Sequence, residues 1–191
     1  MAIALYFIII VITLALLYFV APFAVGAYLR YRGKRVITCP ETHKPAAVEV
    51  DARHAALTAA VTYPDLRLKS CTRWPERDDC GQACLLQVKL SPEDCLVRNI
   101  LTTWYDGKHC VSCGTQFGVI RWLDHKPALL GPDGNTVQWS EVAAEKVPEV
   151  LTTHFPVCWD CYTTESFCRE HPEMIVDRST LGAGIHRHPS P

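Results

Sequence analysis

The sequence KHCVSCGTQ, from Lys108 to Gln116, places two cysteines three positions apart and follows the second with a glycine. A second pair at the same spacing stands in PVCWDCY, from Pro156 to Tyr162. Two cysteines so spaced on a tight turn can bind one ion together, and the glycine gives the turn the backbone freedom that it needs. Two such turns brought together offer four thiolates in a tetrahedron, as in structural zinc sites. The pattern predicts a metal site formed by Cys110, Cys113, Cys158 and Cys161, here called the first cysteine set.

These paired C-x-x-C motifs, with Gly114 after the first, resemble the knuckles of zinc ribbons and of rubredoxin. The resemblance covers the four cysteines and the glycine and no other part of the chain. A zinc ribbon would imply a structural zinc ion, whereas a rubredoxin would imply iron and one-electron transfer. The sequence leaves the metal open because zinc and iron accept the same four thiolates.

Four more cysteines, here called the second cysteine set, form a candidate second site for zinc or an iron–sulfur cluster: Cys39, Cys71, Cys80 and Cys84. A helix predicted from Asp79 would place Cys80 and Cys84 on one face, because they are four positions apart. The spacing of the set matches no ferredoxin pattern. The alternative is that these thiols are buried and pack as small apolar side chains.

The first 29 residues, MAIALYFIIIVITLALLYFVAPFAVGAYL, contain no charged side chain. A helix of about 20 apolar residues spans the hydrocarbon core of a bilayer, so residues 1–29 predict a transmembrane helix. Pro22 and Gly26 are expected to bend or end this helix in its last third. The alternative is a cleaved signal peptide, but the apolar run exceeds a signal-peptide core and no basic residue precedes it.

A basic juxtamembrane linker is predicted over residues 30–38, since Arg30, Arg32, Lys34 and Arg35 follow the apolar stretch directly. By the positive-inside rule this flank stays in the cytoplasm. We therefore expect a single-pass protein of the inner or plasma membrane with its C-terminal domain in the cytoplasm. Cytosolic thiols stay reduced, which favours metal ligands or redox groups over disulfides. Cleavage of the segment would instead favour disulfides among the ten cysteines.

The remaining chain predicts an α+β fold, in which a small metal-stabilised cysteine-rich domain covers residues 39–178 and a flexible tail covers residues 179–191. Pro92–Tyr105 predicts a helix, because serine, proline and two acids stand at its start. Phe117–Trp122 predicts a strand. The sequence GPDGN, residues 131–135, predicts a hairpin turn.

Catalytic motifs are absent from the sequence: it contains no G-x-S-x-G, P-loop, H-E-x-x-H or dinucleotide fingerprint. The net charge of −1 gives no reason to expect a nucleic-acid partner. The sequence therefore favours a non-enzymatic, membrane-anchored zinc protein that docks or assembles with a membrane-associated protein. One alternative is an electron-transfer protein with rubredoxin-type iron or an iron–sulfur cluster. The other is a thiol–disulfide oxidoreductase with Cys158 as its reactive thiol, although Asp160 would raise the pKa of that thiol.

Overall fold

The computed structural model describes residues 2–77 and 79–174 of the 191-residue chain. Helices and small antiparallel sheets alternate along the described chain, so the prediction of a mixed helix and strand fold is confirmed. The tail predicted over residues 179–191 lies outside the described residues.

Two compact units divide the chain, whereas a single domain was predicted over residues 39–178. The first cysteine set lies in the second unit, and the second cysteine set lies in the first unit. The division was not expected because the chain leaves the first unit after Asp106 and returns to it later, which no local pattern reveals. The first unit comprises Met1–Asp106 and Val142–Thr152, and the second comprises Gly107–Glu141 and Thr153–Pro191.

The first unit begins with helix α1, Ala2–Tyr31, which is 30 residues long. Its residues Ile3–Tyr31 are long and apolar enough to cross a membrane, by length and composition. The helix continues through Pro22, where a bend or an end was expected. Its last turns are held in place because Ala27 and Tyr31 are buried in the hydrophobic core of this unit.

A buried arginine closes the C-terminal end of α1. Arg35 has no exposed surface (0%), and its guanidinium donates hydrogen bonds to four backbone carbonyls. The acceptors are the oxygens of residues 30–33, at 2.5, 2.7, 3.3 and 3.1 Å in chain order. The last carbonyls of a helix lack partners within the helix and favour a nearby cation, so Arg35 stabilises this end. The segment predicted as a linker over residues 30–38 therefore contains the end of α1 and the following strand.

A three-stranded antiparallel sheet follows, with β2, Pro45–Val50, between β1, Lys34–Thr38, and β3, Leu68–Cys71. Helix α2, Ala52–Ala59, comes directly after β2, and the Asp51 carboxylate accepts a hydrogen bond from the His54 amide at 2.9 Å as its cap. Both outer strands run antiparallel to β2, so their C-terminal ends lie at the same end of the sheet, where β2 begins.

Three more helices belong to the first unit: α3, Leu85–Leu90, α4, Val97–Tyr105, and α5, Val147–Thr153, which follows a 3₁₀ turn. Trp104 Nε1 donates a hydrogen bond to the Leu151 carbonyl at 3.0 Å and ties α4 to α5. The helix predicted over Pro92–Tyr105 begins five residues later, at Val97, because residues 92–95 form turns.

The helix predicted from Asp79 begins only at Leu85, as α3, so the prediction that Cys80 and Cys84 lie on one helix face is wrong. Gln82 has a φ of +55°, which is incompatible with a right-handed helix. Its backbone amide donates to Cys80 Sγ at 3.4 Å, so the chain turns around the sulfur.

The second unit contains a small antiparallel sheet with β4, Ala128–Leu130, at its centre. Strand β5, Thr136–Val137, pairs with one edge through the predicted hairpin, and β6, Phe155–Val157, pairs with the other. Helix α6, Trp159–Glu170, follows β6, and a 3₁₀ turn over Pro172–Met174 ends the described chain. The strand predicted over Phe117–Trp122 is wrong: the segment is mostly irregular, with a bend at Val119, whose side chain is 97% exposed instead of packing on a sheet.

Candidate metal centre

The first knuckle is a tight hairpin around Cys110 and Cys113. The Cys110 amide donates to the Thr115 carbonyl at 2.9 Å, and the Gly114 amide donates back to the Cys110 carbonyl at 2.8 Å. Gly114 has a φ of +74°, a left-handed conformation that glycine adopts without steric cost. The glycine noted in the sequence therefore lets the hairpin close and direct both sulfurs to one side.

The second knuckle joins β6 to α6. Cys158 occupies the cap position of α6, and Cys161 lies in the first turn of that helix. Pairing of β6 with β4 fixes where the knuckle starts, because Val157 pairs with Ala128 at the sheet edge. Helix α6 starts at Trp159, directly after Cys158, and so includes Cys161.

Two backbone contacts bring the knuckles together. The Val111 amide donates to the Pro156 carbonyl at 2.9 Å, and the Cys158 amide donates to Cys110 Sγ at 3.2 Å. The four sulfurs of the first cysteine set all lie within 4.8 Å of one another. The structure therefore places the four predicted ligands in one group that can hold a metal ion.

The sulfur spacing fits one tetrahedral ion. Cys113 Sγ lies 3.7 Å from Cys158 Sγ. Four zinc–sulfur bonds of about 2.3 Å arranged tetrahedrally place the sulfurs about 3.8 Å apart. A disulfide needs about 2.05 Å between its sulfurs, and all ten cysteines of the chain are free thiols.

Hydrogen bonding and burial give the four thiols unequal pKa values. The hydroxyl and amide of Thr115 lower the pKa of the exposed Cys113 thiol to about 6. Burial favours the neutral Cys110 thiol, but the backbone amides of Cys158, Cys113 and Ser112 outweigh it and lower the pKa of Cys110. Charge therefore develops first on the C-x-x-C pair of the first knuckle.

The second knuckle resists ionisation. Burial raises the pKa of Cys158, and burial together with the neighbouring thiols raises the pKa of Cys161 well above its usual range. Four thiolates so close together repel one another, and a divalent cation among them removes that cost. The raised pKa also argues against Cys158 as the reactive thiol of an oxidoreductase.

The second cysteine set lines a single cavity in the first unit. Cys39 follows β1, Cys71 ends β3, Cys80 lies in the loop after β3, and Cys84 directly precedes α3. Burial, followed by the charges of the other three cysteines, raises the pKa of Cys84 to about 11. The hydroxyl and amide of Thr42 lower the pKa of Cys39. Within the described part of the chain, this set does not meet the 4.8 Å spacing of the first set.

Neither of the two remaining cysteines joins the first set within the described residues. Cys95 is partly buried against the core of the first unit, as expected of a packed thiol. Cys168 lies further along α6. The contact between Thr115 and Cys113 was not predicted from the sequence. A hydroxyl residue two positions after the second cysteine of a C-x-x-C motif could have indicated it.

Comparisons with protein-family models, with curated proteins and with solved structures find no match for this chain. Its function therefore has to be inferred from its own residues.

Proposed function

We propose that this chain is a membrane-anchored zinc protein whose second unit docks a membrane-associated protein partner. The observation that carries the proposal is the group of four cysteine sulfurs within 4.8 Å of one another. Four protein ligands would fill all four coordination positions of a tetrahedral ion and leave no position for water or substrate. Such a closed site is typical of structural rather than catalytic zinc.

Exposed apolar side chains near the knuckles support a docking role. Val111 lies between the two cysteines of the first knuckle, and Phe155 begins the strand that leads to the second. Both are at least half exposed, and Val119 and Leu123 are each 97% exposed. Exposed apolar side chains that lie together mark interaction sites. A metal that fixes both knuckles would hold these side chains in one arrangement for a partner.

Helix α1 supports the membrane anchor. Its 30 residues at about 1.5 Å each give roughly 45 Å, which exceeds the hydrocarbon core of about 30 Å. The exposed basic residues at the end of the helix and just after it, Arg30, Arg32 and Lys34, support a cytoplasmic position for the chain that follows α1. Arg35 does not contribute to this flank, because its charge is buried in the cap of α1.

Metal analysis of the full chain in detergent tests the zinc site. We expect one zinc ion per chain that depends on the first set, so that Cys113→Ser lowers the zinc content while Cys168→Ser leaves it unchanged. Cys168 is the matched control because it belongs to the same unit but to neither set. Iron at this site, seen as colour that Cys113→Ser abolishes, would replace the zinc assignment with rubredoxin-type electron transfer.

Site-specific photo-crosslinking in membranes tests the docking role. We expect a crosslinking amino acid at position 119 to give a discrete product that disappears when Cys113→Ser is added. Position 63 is the control, because Tyr63 is 92% exposed but lies in the first unit. The same product from position 63, or a product that persists without the metal, would contradict docking through the metal-bound unit.

A further inference from the structure

The second cysteine set converges although its members come from four different segments. Cys39 directly follows β1 and Cys71 is the last residue of β3, and both strands finish at the same end of the sheet. Cys80 and Cys84 reach the same cavity from the turn before α3.

Backbone amides are directed at the sulfurs, as they are in the first set. The Arg73 amide donates to Cys71 Sγ and the Gln82 amide donates to Cys80 Sγ, each at 3.4 Å. The amides of Glu41 and Thr42 donate to Cys39. Each chain segment therefore wraps around a sulfur two or three residues earlier. Such donors stabilise a thiolate bound to metal, because they accept part of its charge.

The spacing of the sulfurs favours a cluster over one shared ion in this arrangement. Two sulfurs bonded to one ion at about 2.3 Å can be no more than about 4.6 Å apart. In the described part of the chain, no three sulfurs of the second set lie within 4.8 Å of one another. An iron–sulfur cluster places its thiolates on different iron atoms, so it accepts a wider set of cysteines.

The walls of the cavity suit an anionic cluster. Ile37, Leu68 and Trp74 line it with apolar surface that keeps water away. Arg73 and Arg77 also line it, and each pairs with a carboxylate, of Glu76 at 3.1 Å and of Glu41 at 3.4 Å. Arg73 Nε is nevertheless buried without a hydrogen-bond partner in the described structure. A buried donor without a partner is costly, and the sulfide or thiolate of a cluster would accept its hydrogen bond.

We propose that Cys39, Cys71, Cys80 and Cys84 bind an iron–sulfur cluster in the first unit. The proposal is independent of the zinc site, because the two sets share no ligand and belong to different units.

The test is anaerobic purification of the full chain in detergent, with iron, acid-labile sulfide and zinc measured on the same sample. Chain isolated without iron is incubated with ferric iron, sulfide and a thiol reductant before the assay. We expect equal amounts of iron and sulfide, a brown colour, and bleaching when dithionite reduces the cluster. Cys80→Ser and Cys39→Ser should each lose the iron, the sulfide and the colour. Cys95→Ser, a control in the same unit, should retain all three.

Three results would overturn the proposal. Zinc that Cys80→Ser removes would assign a single ion to this set. If iron is lost in the Cys113→Ser variant and retained in the Cys80→Ser variant, the iron belongs to the first set. A chain that takes up no iron, natively or after incubation, would leave the second set as packed thiols. Circular dichroism of each variant verifies that its fold is retained. If Cys80→Ser does not fold, the result for Cys39→Ser decides the test.

Discussion

Loss of the metal from the first cysteine set should unfold the second unit and leave the first unit folded. The buried apolar side chains that the structure describes in the second unit are few: Cys110, Pro127, Ala128, Leu129, Pro156 and Val157. Burial of Leu129 and Val157 contributes about 1.5–3 kcal/mol each. A structural zinc site contributes about 10–16 kcal/mol of apparent binding free energy near pH 7. The metal therefore outweighs the apolar core of this unit.

Cys113→Ser isolates this effect, because Cys113 is exposed and its replacement creates no buried cavity. Substitutions next to metal ligands weaken binding by about 10–100-fold, so loss of a ligand itself should exceed about 100-fold. We expect the variant to lose zinc at moderate chelator concentrations at which the unsubstituted chain retains it.

Hydrogen exchange measured by mass spectrometry provides the readout, because it reports each unit separately. Peptides from β4 and β6 should lose protection in the metal-free variant, while peptides from β1 and β2 keep theirs. The reasoning is refuted if β4 and β6 stay protected after metal analysis shows that zinc is gone, since the apolar contacts would then suffice.

Three further substitutions test the packing around the two units. Leu129→Ala should destabilise the second unit by about 2–5 kcal/mol in denaturant unfolding without a loss of zinc, since it leaves a cavity but keeps the ligands. Arg35→Met should cost roughly 3 kcal/mol because carbonyls at the end of α1 lose a charged donor; an unchanged unfolding midpoint would contradict the cap. Asp51→Ala should cost about 1 kcal/mol by removing the cap of α2. The His54 amide and then Arg67 lower the pKa of Asp51, so its stabilisation is complete above the ordinary pKa of 3.8 and is lost as the pH falls through the lower folded value. The difference from the unsubstituted chain should therefore shrink in strong acid, and a constant difference would argue against a charged cap.

The first cysteine set was predictable because each half of it is local. A C-x-x-C turn followed by glycine fixes two sulfurs within six residues, as Cys110, Cys113 and Gly114 do. The partner pair was found by its identical spacing. The pairing of strand β6 with strand β4 positions the second pair, and it joins residues 128 and 157. No sequence pattern predicted this pairing.

The second cysteine set illustrates why a correct list of residues can come from a wrong structural argument. The four-residue interval between Cys80 and Cys84 suggested a helix face, but Gln82 adopts a left-handed conformation and the chain turns instead. The i, i+4 pattern of two cysteines does not distinguish a helix from a turn closed by an amide–sulfur hydrogen bond. Only the cavity in the structure gives these residues a common location.

The basic flank after α1 shows a limit of composition rules. Arg35 was counted among charges that face the cytoplasm, yet it is buried and bonded to the backbone. A rule based on composition cannot separate an exposed arginine from one that caps a helix, because both follow an apolar stretch. The orientation of the chain in the membrane stays a prediction that rests on the exposed members of this flank.

X-ray absorption at the zinc edge of the full chain tests the central claim most directly, because it measures the ligands of zinc alone. The account predicts four sulfur neighbours at about 2.3 Å, with the signal lost in Cys113→Ser and retained in Cys80→Ser. Zinc with nitrogen or oxygen neighbours, or the same four-sulfur signal in the Cys113→Ser variant, would contradict a zinc ion bound by Cys110, Cys113, Cys158 and Cys161.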